Sequence, residues 1–238
     1  MRIGILAADR VRPELVPAHG EYADMFGRLL AKAEPEAEFP GYDVDLGRLP
    51  ERPEECDGYV ITGSRYSVYD DLDWLAGLRG FVARLAEQRR PLFAVCFGHQ
   101  LVADALGGKV EKAGRGWTLG VRTSEIDSPF PWADPAAKEL TLIHSHQDQV
   151  LGLPEGAELV GSNDACPISL YRIGSHVMSC QGHPEFSRDF ATELYDARRE
   201  IFGDELWRQA RDSLDGRTDE ELVARWALDF FSAADRPQ

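Results

Sequence analysis

The sequence predicts an α/β fold: a mostly parallel, doubly wound sheet flanked by helices, with a small antiparallel extension and a helical C-terminal tail. Three observations predict it. From Arg2 to Gly108, short apolar runs alternate with amphipathic helical patterns. Strands separated by helices of that length pair in parallel through crossovers. From Lys109 to Tyr171 the chain changes to short alternating segments (LGVRTSEI, LTLIHSH, ISLYRI), the period of half-buried antiparallel strands. From Ser187 onward the pattern is helical.

The elements follow in order. Arg2 to Ala8 is a short buried strand. Tyr22 to Ala33 is a helix, with Tyr22, Met25, Phe26, Leu29 and Leu30 at helical spacing. Tyr42 to Leu46 is a weak strand before a Pro-rich turn. Gly58 to Thr62 (GYVIT) is a second buried strand, broken by Gly63-Ser64. Leu72 to Gln88 is a helix whose apolar face carries Leu75, Leu78, Val82, Leu85 and Ala86. Asp70, Asp71 and Asp73 suit its positive N-terminus, Arg89 and Arg90 suit its other end, and Pro91 stops it. Pro91 to Cys96 (PLFAVC) is the third strand, and a helix follows from Gly98 to Leu106. His176 to Gln181 is one more strand. Thr218-Asp-Glu-Glu221 matches a capping box for the last helix. Residues 1–190 are expected to form the main domain, with 191–238 a helical extension packed on it.

Composition bounds the function. The chain has 238 residues, with 26 Lys and Arg against 41 Asp and Glu, a net charge of −15. That acidity argues against phosphate-backbone binding and against an anionic membrane surface. The longest apolar run, Leu92 to Phe97, is far too short to span a membrane. No leader is expected ahead of the first strand, and Cys56, Cys96, Cys166 and Cys180 form no CxxC pair. A cytoplasmic chain with free thiols is expected.

Cys96 is the first candidate for chemistry. It lies where the third apolar strand meets a turn into a helix, in Phe93-Ala-Val-Cys-Phe-Gly-His-Gln100. Ala94 and Gly98 are the small residues that a sharp strand-to-helix elbow needs. The helix N-terminus would favour the thiolate, and the Phe97 amide would face an oxyanion. The same apolar run equally suits a buried structural thiol. The second candidate is His183 in Cys180-Gln-Gly-His-Pro-Glu-Phe186. Pro184 biases His183 toward extended backbone, where residues two apart point the same way. Glu185 can then orient the imidazole, as the third member of a triad does.

With the GYVITGSRYSV loop, AVCFGHQLVADALGGKV, GWTLGV, HSHQDQVLGLPEGAELV and QGHPEF in that order, the chain resembles the class I glutamine amidotransferases from Ile3 to about Asp189. Its nearest resemblance is to the glutaminase domain of GMP synthetase and to stand-alone γ-glutamyl peptidases. The resemblance implies a flavodoxin-like sheet and a Cys-His-Glu triad of Cys96 as nucleophile, His183 as general base then acid, and Glu185 as the orienting carboxylate. It implies an oxyanion hole at Gly63 and Phe97, with Gln100 at the amino-acid end of the substrate. It places Trp117, Leu119, His146 and Gln147 along the remaining side. The family loop usually reads Ser-Gly-Gly-Pro, whereas this chain has Thr62-Gly63-Ser64-Arg65. Arg65 or Tyr66 would then be free to contact a longer γ-glutamyl compound.

His144-Ser-His146-Gln-Asp148 is a rival constellation, because alternating histidines share a strand face. A zinc site needs further ligands, and His19, His99, His176 and His183 form no second motif. A wall of the substrate pocket is the expected role, with no metal and no cofactor. His99 is expected to be structural, while Trp117 suits a pocket wall or core equally. The expected reaction is hydrolysis of a γ-glutamyl amide through a Cys thioester, releasing glutamate with ammonia or an amine. Glutamine and γ-glutamyl peptides are alternative substrates. A glutaminase would pass ammonia to a synthetase on a separate chain. A non-catalytic glutamine-binding regulator is the third alternative.

Overall fold

The computed structural model describes residues 1–133 and 137–234. The first strand, β1 (Ile3–Ala7), is followed by a short helix α1 (Val16–His19) and by α2 (Tyr22–Ala31). Then come β2 (Gly41–Asp43), β3 (Gly58–Ile61), α3 (Asp73–Glu87), β4 (Leu92–Val95) and α4 (Phe97–Ala105). Six strands follow before the next long break: β5 (Lys109–Lys112), β6 (Thr118–Ile126), β7 (Glu139–His146), β8 (Asp148–Gly152), β9 (Ala157–Asn163) and β10 (Cys166–Ile173). The chain ends with β11 (Val177–Cys180), α5 (Arg188–Ala197), α6 (Arg199–Phe202), α7 (Asp204–Ser213) and α8 (Glu220–Ala234).

Nine strands form one sheet in the order β2-β1-β3-β4-β11-β10-β9-β6-β7. The half from β2 to β11 is parallel, and the half from β11 to β7 is antiparallel. The expected α/β fold is therefore present. Three details of the reading change. The strand at Tyr42–Leu46 shortens, because Val44–Leu46 winds into a 3-10 turn closed by left-handed Gly47. The alternating stretch does not all join the main sheet, since β5 and β8 make a separate two-stranded ribbon. The Thr218 capping box does not form: α8 starts at Glu220, and the Thr218 hydroxyl donates to Glu220 Oε2 at 2.6 Å.

Alternation along the parallel strands divides the core. Leu6, Tyr59, Ile61, Leu92 and Ala94 face α3 and α4, where they meet Leu75, Leu78, Phe81, Leu101 and Val102. Ile3, Ile5, Val60, Phe93 and Val95 face the other way, onto Phe26 and Leu29 of α2 and Trp226, Phe230 and Phe231 of α8. Strands apolar on both faces are what a parallel sheet covered on both sides requires. The last helix is thus part of the core, with Trp226 1% and Phe230 0% exposed. Burying side chains of this size stabilises by about 1.5–3 kcal/mol each. A third cluster joins α5, α6 and α7 to β6 and β7 through Leu119, Ile143, Phe190, Tyr195 and Phe202. Among the described residues no helix is long and apolar enough to cross a membrane.

Candidate active site

Four chain segments leave the carboxyl ends of adjacent parallel strands and converge, at the edge where ligands bind in open α/β sheets. After β4, Cys96 turns the chain straight into α4 with φ 51° and ψ −101°. A non-glycine residue with that backbone carries strain, and the surroundings hold it there. Its amide donates to Cys180 O at 2.9 Å. The turn also needs Gly98, since a Cβ there would lie 2.7 Å from Ile61 O and 2.8 Å from Ile61 Cβ. α4 starts at Phe97, so its N-terminal amides begin directly beside the sulfur.

After β11, the chain crosses to β7, where His183 N donates to Ile143 O at 2.8 Å. His183 Nδ1 lies 2.8 Å from Glu185 Oε1, both residues buried. Phe186 stacks on the imidazole, with centroids 3.9 Å apart and planes within 9°. Burial disfavours the imidazolium, but the charges on Cys96 and Glu185 outweigh it and raise His183 to about 10. An aromatic face adds a further attraction for that cation.

After β3, Gly63 passes close to both groups. A Cβ there would sit 2.8 Å from His183 Cε1 and 3.6 Å from Cys96 Cβ. Thr62 and Ser64 tie this loop to β1: Thr62 Oγ1 accepts from Ala8 N at 3.0 Å, and Ser64 Oγ donates to Ala8 O at 3.0 Å. Arg65 closes the fixture. Its backbone amide donates to Asp9 Oδ2 at 2.9 Å, and its guanidinium reaches Asp9 Oδ1 at 2.8 Å. Arg65 and Tyr66, the residues expected to meet a longer substrate, border the cavity, Arg65 with its guanidinium engaged by buried Asp9. This ion pair ties the loop to the segment after β1.

The far wall comes from β7, β8 and α4. Gln100 Nε2 donates to Asp148 O at 2.8 Å and to Gln181 Oε1 at 3.1 Å. His144 Nδ1 and His146 Nε2 are 3.2 Å apart, and His146 Nδ1 is 3.0 Å from Asp148 O. Three of their four ring nitrogens are thus spent on one another and on backbone. Burial, aided by the charge of His183, lowers His146 to about 4 and His144 well below the usual range. Among the described residues no group of three or more His, Cys, Asp and Glu is disposed to hold a metal ion. His99 is buried between Ser179 Oγ (2.6 Å) and Ile168 O (3.1 Å), lowered to about 3 by burial.

Cys96 opens into a cavity of two adjoining lobes. One, of about 170 Å³, is lined by Gly63, His183, Tyr22, Phe186 and Ile201. The other, of about 200 Å³, is lined by Gln100, Trp117, His146 and Gln147. Ser64, Arg65, Cys96, Ser145 and Arg198 line both. The Ser145 hydroxyl is buried without a partner among the described residues. One expected position falls elsewhere. Leu119 is fully buried in the cluster beneath α5 and α7, because β6 turns it away from the cavity. The Phe97 side chain is core, packed against Trp74, and Phe97 opens α4 directly after Cys96. Asp9, Tyr22 and Arg198 lie in no local motif of the sequence; each reaches the cavity from an element whose own pattern is ordinary. Cys166 and Cys180 are buried, with Cys166 pushed up to about 12 and Cys180 well above its ordinary value by burial.

Comparison with known proteins gives the family and the fold. The family model described as "Glutamine amidotransferase class-I" matches residues 21–195. γ-Glutamyl peptidase 4 of Arabidopsis thaliana is 32% identical over 75% of this chain and 73% of its own length. One subunit of the glutamine-hydrolysing GMP synthase of Halobacterium salinarum is 28% identical over 72% of this chain and 87% of its own length. The crystal structure of a glutamine amidotransferase from Thermotoga maritima shares the fold, with a TM-score of 0.73 at 20% identity, covering 98% of this chain and 99% of that one. With most of its length matched by the family model, the chain belongs to the class I glutamine amidotransferase family.

Proposed function

We propose that the chain is a cysteine hydrolase of γ-glutamyl amides, with Cys96, His183 and Glu185 as its triad. The observation that carries this reading is the strained Cys96 elbow in one cavity with a His183 imidazole paired to Glu185. The Cys96 thiolate attacks the side-chain carbonyl carbon of the γ-glutamyl group. The amides of Gly63 and Phe97 receive the developing oxyanion. His183 gives its proton to the leaving nitrogen as the C–N bond breaks, which leaves a thioester and a free amine. A water then gives a proton to His183 and attacks the thioester, and glutamate departs as the thiolate re-forms. Glu185 holds the imidazole and favours its cation throughout.

A γ-glutamyl peptide is the favoured substrate over glutamine. The similarity to Arabidopsis γ-glutamyl peptidases supports this, as does a lobe beside His183 far larger than ammonia needs. The similarity to a GMP synthase subunit supports a second reading, in which glutamine is cleaved and ammonia passes to a separate synthetase. A glutamate-release assay on glutamine and a panel of γ-glutamyl peptides tests both. Faster cleavage of peptides, abolished by Cys96→Ala, is expected. Activity retained in Cys96→Ala would sink the scheme, and glutamine preferred over every peptide would favour the second reading.

A further inference from the structure

The lobe beside His183 carries four arginines, and three of them are neutralised. Arg10 pairs with Asp43 and Asp45 at 2.9 and 3.1 Å. Arg65 pairs with Asp9 at 2.8 Å, and Arg12 with Glu14 at 2.6 Å. Arg198, at the junction of α5 and α6, has no carboxylate partner among the described residues. Its guanidinium lies instead against aromatic faces, 5.2 Å from the Trp117 centroid and 5.7 Å from that of Phe202. It is half-buried and borders both lobes of the cavity. Its position is rigid. Arg198 N donates to Tyr195 O at 3.2 Å, and the Tyr195 hydroxyl donates to His144 O at 2.6 Å.

A partly desolvated guanidinium without an anion is costly to keep unless something supplies one. Burial lowers the Arg198 pKa; the neighbouring charges of Tyr22 and Asp9 oppose this, and those of Arg65 and Arg12 add to it. Its planar, stacked head leaves its edge free to take a carboxylate in a bidentate fork.

The two lobes identify which anion. His183 lines only the first lobe, and the group that protonates the leaving nitrogen must stand on the leaving side. Gln100, His146 and Gln147 line only the second, which also has Lys112 as a cation of its own. The first lobe combines the apolar surface of Phe186, Leu194 and Ile201 with Arg198.

We infer that Arg198 determines leaving-group specificity by binding the carboxylate of an amino acid or peptide attached to the γ-glutamyl carbonyl, whose apolar side chain rests on Phe186, Leu194 and Ile201. This deepens the hydrolase reading and rests on it. The substrate class is then a γ-glutamyl amide of an apolar amino acid with a free carboxylate, and neither glutamine nor an uncharged γ-glutamyl amine fills the site.

The test compares γ-glutamyl-leucine with γ-glutamyl-leucinamide, which differ only in that carboxylate. The wild-type protein is expected to cleave the acid about tenfold to a hundredfold faster in kcat/KM, the range of a charge-assisted hydrogen bond. Arg198→Met keeps an unbranched chain against Trp117 and Phe202, and should bring the acid-to-amide ratio to near one. Arg198→Lys should keep part of the preference. A structural role would lower both substrates together and leave the ratio intact, which would overturn the assignment. So would a wild-type ratio near one. If the wild-type protein releases glutamate from no γ-glutamyl compound, the hydrolase reading fails and this inference fails with it; cleavage without acid preference removes this inference alone.

Discussion

Two groups of buried histidines lie on neighbouring segments of the sheet and titrate in opposite directions. His183 follows β11 and is raised to about 10, although burial opposes its charge, because Cys96 and Glu185 stand beside it. His144 and His146 follow one another on β7, are equally enclosed, and are lowered, His146 to about 4. Burial acts the same way on all of them. The sign is decided by whether an anion lies within a few ångströms. The segment after β11 thus holds an imidazole whose cation is favoured, and the antiparallel half a wall of imidazoles whose cations are disfavoured.

The largest test of that contrast removes its anions. Cys96→Ala should lower glutamate release by more than about a thousandfold, because the sulfur that forms the acyl intermediate is gone. Gly63→Ala should come close to it: the added Cβ would stand 2.8 Å from His183 Cε1, and both neighbours are fixed by hydrogen bonds. Steady-state kinetics on a folded variant, confirmed by circular dichroism, reads both.

Glu185→Gln sharpens the comparison. The carboxamide still orients the ring but no longer stabilises its charge, so kcat/KM should fall about tenfold to a hundredfold, less than for Cys96→Ala. The pH profile carries the sign. Imidazolium is present below the His183 pKa and lost above it, so the alkaline limb should lie near 10 in the wild type and move down in the variant. An unmoved limb would show that Glu185 does not set the proton affinity of His183.

Stability probes the other histidines. His99, His144 and His146 have folded pKa values below their unfolded ones, with His99 at about 3 and His146 at about 4. The unfolded chain therefore binds their protons first. Stability should be intact above about pH 6.5 and fall as pH drops from there toward 4. Urea midpoints across that window read the slope, which His146→Gln should reduce. Away from the site, Trp226→Ala should cost about 3–5 kcal/mol by emptying the contact between α8 and the sheet. It should leave the acid-to-amide substrate ratio unchanged.

Much of the site was legible because its signals are local. The apolar run into Phe93-Ala-Val-Cys96 followed by Gly98 marks an elbow, since only small residues let a strand turn so sharply against β3. His183-Pro-Glu185 marks a paired imidazole through the period of extended backbone. The same locality misled at Thr218, where the capping pattern was present but Asp219 Oδ2 instead accepts from Thr141 N at 2.8 Å. Leu119 was misplaced because the resemblance marks a segment, and the alternation of β6 then decides which of its residues face the cavity.

The alternating α/β order, the elbow at Cys96 and the His183–Glu185 spacing are written in the sequence alone, because each follows from contacts within a few residues. The rest depends on the folded chain. Tertiary packing sets the sign of each histidine's shift, engages Arg65 with Asp9, and leaves Arg198 without an anion beside the leaving-group lobe. Charges act through space, and 56 residues separate the partners in the Arg65–Asp9 pair. Only the folded sheet brings such groups within reach of one another.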